Sequence, residues 1–430
     1  MNLVDGKIME TEACEAVLDC LDARIAATLE KPRLTAECVI QACDRLVSAM
    51  SEETYLPIIQ ELGIPEGLGR GYIAQAKELF SAEALSYRME KELGVNYDQG
   101  FVCKPSAGVY TVREEILPLG VLLHVAAGNA DGLPAFSVLE GLLTGNINIV
   151  KLPAAEGGIS VRILLELIRI EPCLSEYIYV FDYSSKDIVH IKKLTDVADG
   201  VVVWGGVEAV AGIRALLSPN VKLIEWGHKI SFAYVTKEGI TQEGLVGILS
   251  NIVSTGQLLC SSCQGIFIDT EDMDEAYSFC EAFLPMLERA VMEQAASMNI
   301  SLRAQAALQR YSTQLESAFN GTRMFSGQDC SVIASDDSVP TPAVGFANVW
   351  VKALARNQIV PVLRPYKNYL QTVALLCSEA EKPEIVEKLQ KTGAVRICSG
   401  GRMSATYLGA AHDGEYPLRR YTKVFAVEEE

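Results

Sequence analysis

A chain of 430 residues, about half hydrophobic and 21% charged, has room for two or three domains and a large core, with an ordinary globular composition. Its formal net charge of −18 excludes nucleic acid and anionic membrane surfaces as general partners, because both need clustered Lys and Arg, and an anionic cofactor would need a local positive site. The 12 cysteines are scattered, which fits the reduced thiols of a cytoplasmic protein better than a disulfide framework.

Residues 1–10 are mixed and partly acidic, unlike the basic-then-apolar pattern of an export signal. Residues 11–92 read as helical throughout and predict a helical cover. Gly67-Leu-Gly-Arg-Gly71 follows no strand, so it fails the structural test for a dinucleotide fingerprint and reads as a turn. Two short alternating runs, at 101–103 and 108–113, predict a β-hairpin. The most apolar region, 116–143, is interrupted by His124, Asn129, Asp131 and Glu140, so no segment qualifies as a membrane span.

From residue 121 strands and helices alternate. Apolar runs at 121–125, 147–150, 177–181, 200–204 and 222–225 are separated by helical segments, which implies a parallel sheet covered on both faces. Ligands of such sheets bind beyond the carboxyl ends of the strands. A second α/β unit follows, with strands near 232–235, 265–269, 348–351, 372–376 and 394–397 and a helical stretch from 273 to about 310. The tail from Arg420 to Val427 reads as a last strand, pairing with the hairpin or with a neighbouring subunit.

The stretch Ser254-Thr-Gly-Gln-Leu-Leu-Cys260-Ser-Ser-Cys-Gln264 lies between an amphipathic helical run and a buried strand, which puts Cys260 in a helix-to-strand loop. Loops on a rigid α/β scaffold are where an ionisable thiol is usefully displayed. A C-x-x-C pair alone also fits a redox motif or half of a zinc site. Zinc would need two more ligands, and Cys280 is single and falls in a predicted helix, so no metal is expected here.

Five segments occur in one order: Pro118-Leu-Gly-Val-Leu-Leu-His-Val-Ala-Ala-Gly-Asn129, Gly145-Asn-Ile-Asn-Ile-Val-Lys151, Trp204-Gly-Gly206, Glu225-Trp-Gly-His-Lys229 and Gly256-Gln-Leu-Leu-Cys260. That order resembles the aldehyde dehydrogenase superfamily. Cys260-Ser-Ser-Cys-Gln264, Tyr369-Leu-Gln-Thr-Val373 and His412-Asp-Gly-Glu-Tyr-Pro-Leu418 narrow the resemblance to the acyl-CoA reductases of the bacterial-luminescence (LuxC-type) family, over about 97–425.

The resemblance implies an aldehyde-dehydrogenase-like α/β fold with two Rossmann-like parallel-sheet domains. Mapped onto this chain, 1–100 is a helical segment packed on the cofactor domain and 101–117 an oligomerisation hairpin. Residues 118–230 form a dinucleotide-binding domain, 231–410 a catalytic cysteine domain and 411–430 a C-terminal oligomerisation strand. It also implies Cys260 as nucleophile, Asn129 as an oxyanion donor and Glu225 as a carboxylate serving the thiol. Lys151 would meet the adenosine ribose, and Gly205 and Gly206 would let cofactor phosphates approach the backbone. The implied reaction reduces an acyl-CoA or acyl-protein thioester to an aldehyde. NADPH is favoured and NADH left open, because the acid that commonly follows the lysine in NAD-preferring members is displaced to Glu156. A homo-oligomer and an acyl-supplying partner enzyme complete the expectation.

Simpler roles compete at several positions: packing for Cys263, the core for His124, a turn for His412 and Asn129, and the surface for Lys151. An aldehyde dehydrogenase finishing with water and an acyl-accepting transferase subunit use the same thiol and remain the alternatives.

Overall fold

The computed structural model describes residues 1–61, 66–103, 110–126, 132–153, 158–294, 300–317 and 322–429. The chain divides into two compact units, one formed by Met1–Gly227 with Tyr407–Glu430 and the other by His228–Thr406.

The first unit opens with strands β1 (Asn2–Val4) and β2 (Lys7–Met9). Sequence reading assigned no structure here, yet Asp5 and Gly6 both take positive φ, 51° and 68°, as an Asp-Gly hairpin turn requires. Six helices follow: α1 (Thr11–Asp19), α2 (Leu21–Leu29), α3 (Ala36–Ala49), α4 (Glu52–Glu61), α5 (Glu66–Leu79) and α6 (Ala82–Leu93). The turn expected at 67–71 is therefore corrected to the first part of α5. A Cβ on Gly69 would stand 3.0 Å from both Leu56 Cδ1 and Ile59 Cγ2, so this glycine serves close packing of α5 on α4.

Then come β3 (Phe101–Cys103), β4 (Thr111–Pro118), β5 (Val121–Val125), α7 (Leu133–Leu143), β6 (Ile147–Lys151), α8 (Ile159–Ile170), β7 (Ile178–Phe181), α9 (Ile188–Asp196), β8 (Gly200–Trp204), α10 (Val207–Leu216) and β9 (Lys222–Trp226). The sheet order is β2-β1-β7-β6-β5-β8-β9. β5 to β9 are parallel, and β1 lies antiparallel on β7. Chain order reverses between β5 and β8, which is the topological switch point of a doubly wound sheet. Its strands are continuous apolar runs because helices cover both faces.

The second unit contains β10 (Ile230–Val235), α11 (Gln242–Thr255), β11 (Cys263–Ile268), α12 (Met273–Gln294), α13 (Ile300–Ser317), β12 (Arg323–Gly327), β13 (Cys330–Ser335), β14 (Asn348–Ala353), α14 (Ile359–Leu363), β15 (Leu370–Leu376), α15 (Lys382–Thr392) and β16 (Arg396–Cys398). The order β12-β13-β14-β11-β10-β15-β16 is again doubly wound, with only β12 antiparallel. The expected helical stretch from 273 is two helices, and β12 and β13 were not foreseen.

The chain ends in α16 (Pro417–Arg420) and β17 (Thr422–Glu429), which belong to the first unit. β17 pairs antiparallel with β4 over eight residues, in a three-stranded sheet completed by β3. Among the described residues no helix is long and apolar enough to cross a membrane.

Candidate active site

In the second unit the thiol loop is built from the end of α11. Thr241 caps that helix by accepting from Gly244 N at 3.1 Å, and Gly256 ends it in the left-handed region. Gln257 is left-handed too, at φ 62°, a conformation that costs a non-glycine residue. Its amide holds it there, donating from Nε2 to Cys263 O at 3.0 Å and Gln264 O at 3.4 Å.

Asn251 sits one turn back and joins both sides of the loop. Its Oδ1 accepts from Cys263 N at 2.8 Å, and its Nδ2 donates to Ser404 Oγ at 2.8 Å. Ser261 Oγ donates to the same Ser404 oxygen at 3.0 Å. Ser231 Oγ on β10 donates to Cys260 O at 2.7 Å. These bonds fix the main chain on both sides of Cys260 and leave its side chain partly exposed, beside the exposed Leu258 and Leu259. Cys263 is its opposite. It opens β11, is fully buried, directs Sγ to Gly265 O at 3.3 Å, and burial pushes its thiol up to about 12. Of the two thiols in the motif, solvent reaches Cys260.

In the first unit Lys151 ends β6 and is 6% exposed, so it is not a surface lysine. Burial lowers its pKa against the opposing pull of Asp182. It lines a cavity of about 330 Å³ with an apolar wall of Leu123, Val125, Ile188 and Ile213 and with Glu208 at its edge. One buried cation in an apolar slot beyond parallel strands suits a flat, negatively substituted ligand such as an adenosine phosphate.

Gly205 and Gly206 link β8 to α10, and Gly206 is the N-cap. A Cβ on Gly206 would meet nothing within 4 Å, while one on Gly205 would lie 3.1 Å from Ala209 Cβ. The N–H groups of the first turn of α10 are therefore approachable by an anion. Glu225, on β9, is ion-paired with Arg214 of α10 and about a third exposed. Asn129 and Glu156 lie outside the described residues.

His124 is fully buried, with Nδ1 2.7 Å from Ser137 Oγ and Nε2 2.9 Å from Asn148 Oδ1, and burial lowers its pKa to about 4. His412 begins a tight turn, with Asp413 and Gly414 at positive φ, and packs edge-on against Trp204 and Trp226. Sequence reading missed Ser231 and Asn251, because nothing in their own segments signals that they support a distant loop.

The profile of the family described as acyl-CoA reductase (LuxC) matches residues 34–424. A long-chain acyl-protein thioester reductase of Aliivibrio fischeri is 24% identical over 343 residues, covering 76% of this chain and 68% of that protein. Long-chain acyl-protein thioester reductase 2 of Photobacterium leiognathi is 25% identical over 329 residues, covering 73% of this chain and 65% of its own length. The match thus spans about two thirds of these relatives.

Among solved structures, an NAD-dependent aldehyde dehydrogenase from Sinorhizobium meliloti superposes with a TM-score of 0.75 at 15% identity, over 100% of this chain and 94% of that one. A glyceraldehyde-3-phosphate dehydrogenase from Methanocaldococcus jannaschii, solved with NADP, gives 0.72 at 13% identity, over 98% and 95%. The fold is that of the aldehyde dehydrogenases, and the chain belongs to the acyl-CoA reductase (LuxC) family.

Proposed function

We propose that this protein reduces an acyl thioester, carried by coenzyme A or by a protein, to the free aldehyde through a covalent acyl group on Cys260. NADPH is the favoured reductant and NADH the second choice. The observation that carries this reading is the contrast within the thiol loop: Cys260 is partly exposed on a tethered main chain, while Cys263 is sealed in the core.

In this mechanism the Cys260 sulfur attacks the thioester carbon, forming a C–S bond and an oxyanion. The Cys260 backbone N–H and the Asn129 amide are the proposed donors to that oxyanion. Its collapse breaks the bond to the carrier sulfur and leaves an acyl-cysteine. A reduced nicotinamide, when bound, would supply hydride to the carbonyl carbon of the acyl-cysteine. Cys260 then leaves as thiolate from the resulting thiohemiacetal, releasing aldehyde. Glu225 is the proposed proton carrier, and its pairing with Arg214 must open for it to act. Lys151 would hold the ribose end of the cofactor, and the backbone at Gly205 and Gly206 its phosphates.

The exposed Val424, Phe425 and Val427 of β17 are the proposed contact with a second copy of the chain. An enzyme that supplies acyl groups is the further proposed partner.

The reaction is tested by loss of reduced-nicotinamide absorbance with a panel of acyl-CoAs and acyl-proteins, comparing NADPH with NADH and wild type with Cys260→Ala. Oxidation that requires the thioester and vanishes in the variant is the expected result. Acylation of Cys260 without cofactor consumption would overturn it in favour of acyl transfer, and thioester-independent conversion of aldehyde to acid in favour of an oxidising dehydrogenase.

A further inference from the structure

Among the described residues one group of three potential metal ligands has its ligating atoms all within 4.8 Å of one another: Cys38, Glu171 and Cys173. All three belong to the first unit. Cys38 lies in the first turn of α3, where its N–H donates to the capping Thr35 Oγ1 at 3.3 Å. Glu171 follows the end of α8, and Cys173 stands in the 3-10 turn Pro172–Glu176.

The two sulfurs are 3.9 Å apart although 135 residues separate them in the chain. Two thiolates on one tetrahedral zinc, each at about 2.3 Å, stand about 3.8 Å from one another. Arg45 donates to Glu171 Oε2 at 2.9 Å, which orients the carboxylate as an outer partner of a metal ligand does. Cys173 is exposed and Cys38 partly so, which leaves an entry path.

We propose that Cys38, Cys173 and Glu171 bind one soft divalent cation of the zinc class, with water as the fourth ligand. The site ties α3 of the helical cover to the end of α8. Binding forms two metal–sulfur bonds and releases the two thiol protons to solvent. The bound ion then stabilises the fold, since the unfolded chain does not hold the three ligands together.

The full chain, reduced and stripped of metal, is titrated with Cd2+ and followed by thiolate-to-metal absorbance, and with Zn2+ in thermal melts. The site predicts one equivalent of thiolate-bound Cd2+ and a Tm rise of several degrees at Zn2+ about a hundred times above Kd. C38S and C173S each lose both signals, E171Q binds about tenfold or more weakly, and C260A keeps the full response, which separates this site from the proposed nucleophile. If C38S does not fold by circular dichroism, C173S, altered in an exposed turn, decides. Unchanged stoichiometry and Tm rise in C173S would overturn the site. So would a Cys38–Cys173 disulfide in the isolated protein with no Cd2+ bound after reduction, which would make the pair a redox couple instead.

Discussion

The Ser231 hydroxyl donates to the Cys260 carbonyl at 2.7 Å, and the same oxygen accepts from the Thr372 amide at 3.1 Å. One buried side chain on β10 thereby ties the thiol loop to β15. Ser231→Ala leaves both backbone groups without this partner, at a cost of about 1–3 kcal/mol. Chemical denaturation should show that loss, and rapid-quench acylation of Cys260 should slow while Tm stays well above assay temperature. Unchanged acylation would show that the tether does not position the thiol.

The burial contrast between Cys260 and Cys263 predicts selective alkylation. Under native conditions iodoacetamide should modify Cys260, together with exposed Cys20, Cys103 and Cys173, and spare Cys263 until the chain is unfolded. Peptide mass spectrometry reads this directly. Equal labelling of Cys260 and Cys263 in the native protein would contradict the loop geometry.

Lys151→Met removes the buried cation from the cavity and keeps most of its aliphatic length. A lost charge-assisted contact of about 1.5–3 kcal/mol corresponds to roughly a tenfold to hundredfold weaker cofactor. Equilibrium titration with NADPH should show that weakening with little loss of stability, because burial already disfavours the charged lysine. Full affinity in the variant would remove Lys151 from the cofactor site.

His124 is neutral in the fold, with its pKa lowered from 6.5 to about 4 by burial. Its contribution is therefore complete above the unfolded pKa and is lost as pH falls from 6.5 toward 4. Over that whole window the loss is about 3 kcal/mol. Unfolding free energies measured at neutral and acidic pH should converge between wild type and His124→Gln as pH falls. Parallel pH profiles would mean that His124 titrates alike in folded and unfolded chains.

The parallel strands β5 to β9 could be read in advance because each is a short apolar run set between helices, a pattern that survives in local sequence. The hairpin at Asp5-Gly6 was not read from the sequence, because two three-residue strands gain stability only by adding to β7. β12 and β13 carry mixed segments whose strand character depends on pairing with β14. Glycines 67–71 suggested a turn because sequence does not reveal that Gly69 faces Leu56 and Ile59.

By itself the sequence determined the alternation of strands and helices, the loop that carries Cys260, and the ordered motifs that mark the family, all of which are local or linear properties. Tertiary structure alone decided which of two thiols three residues apart meets solvent, that Lys151 is buried, and that Cys38 and Cys173 become neighbours. Each of these depends on what the fold packs around a side chain, and contacts between distant segments leave no periodic trace in the segments themselves.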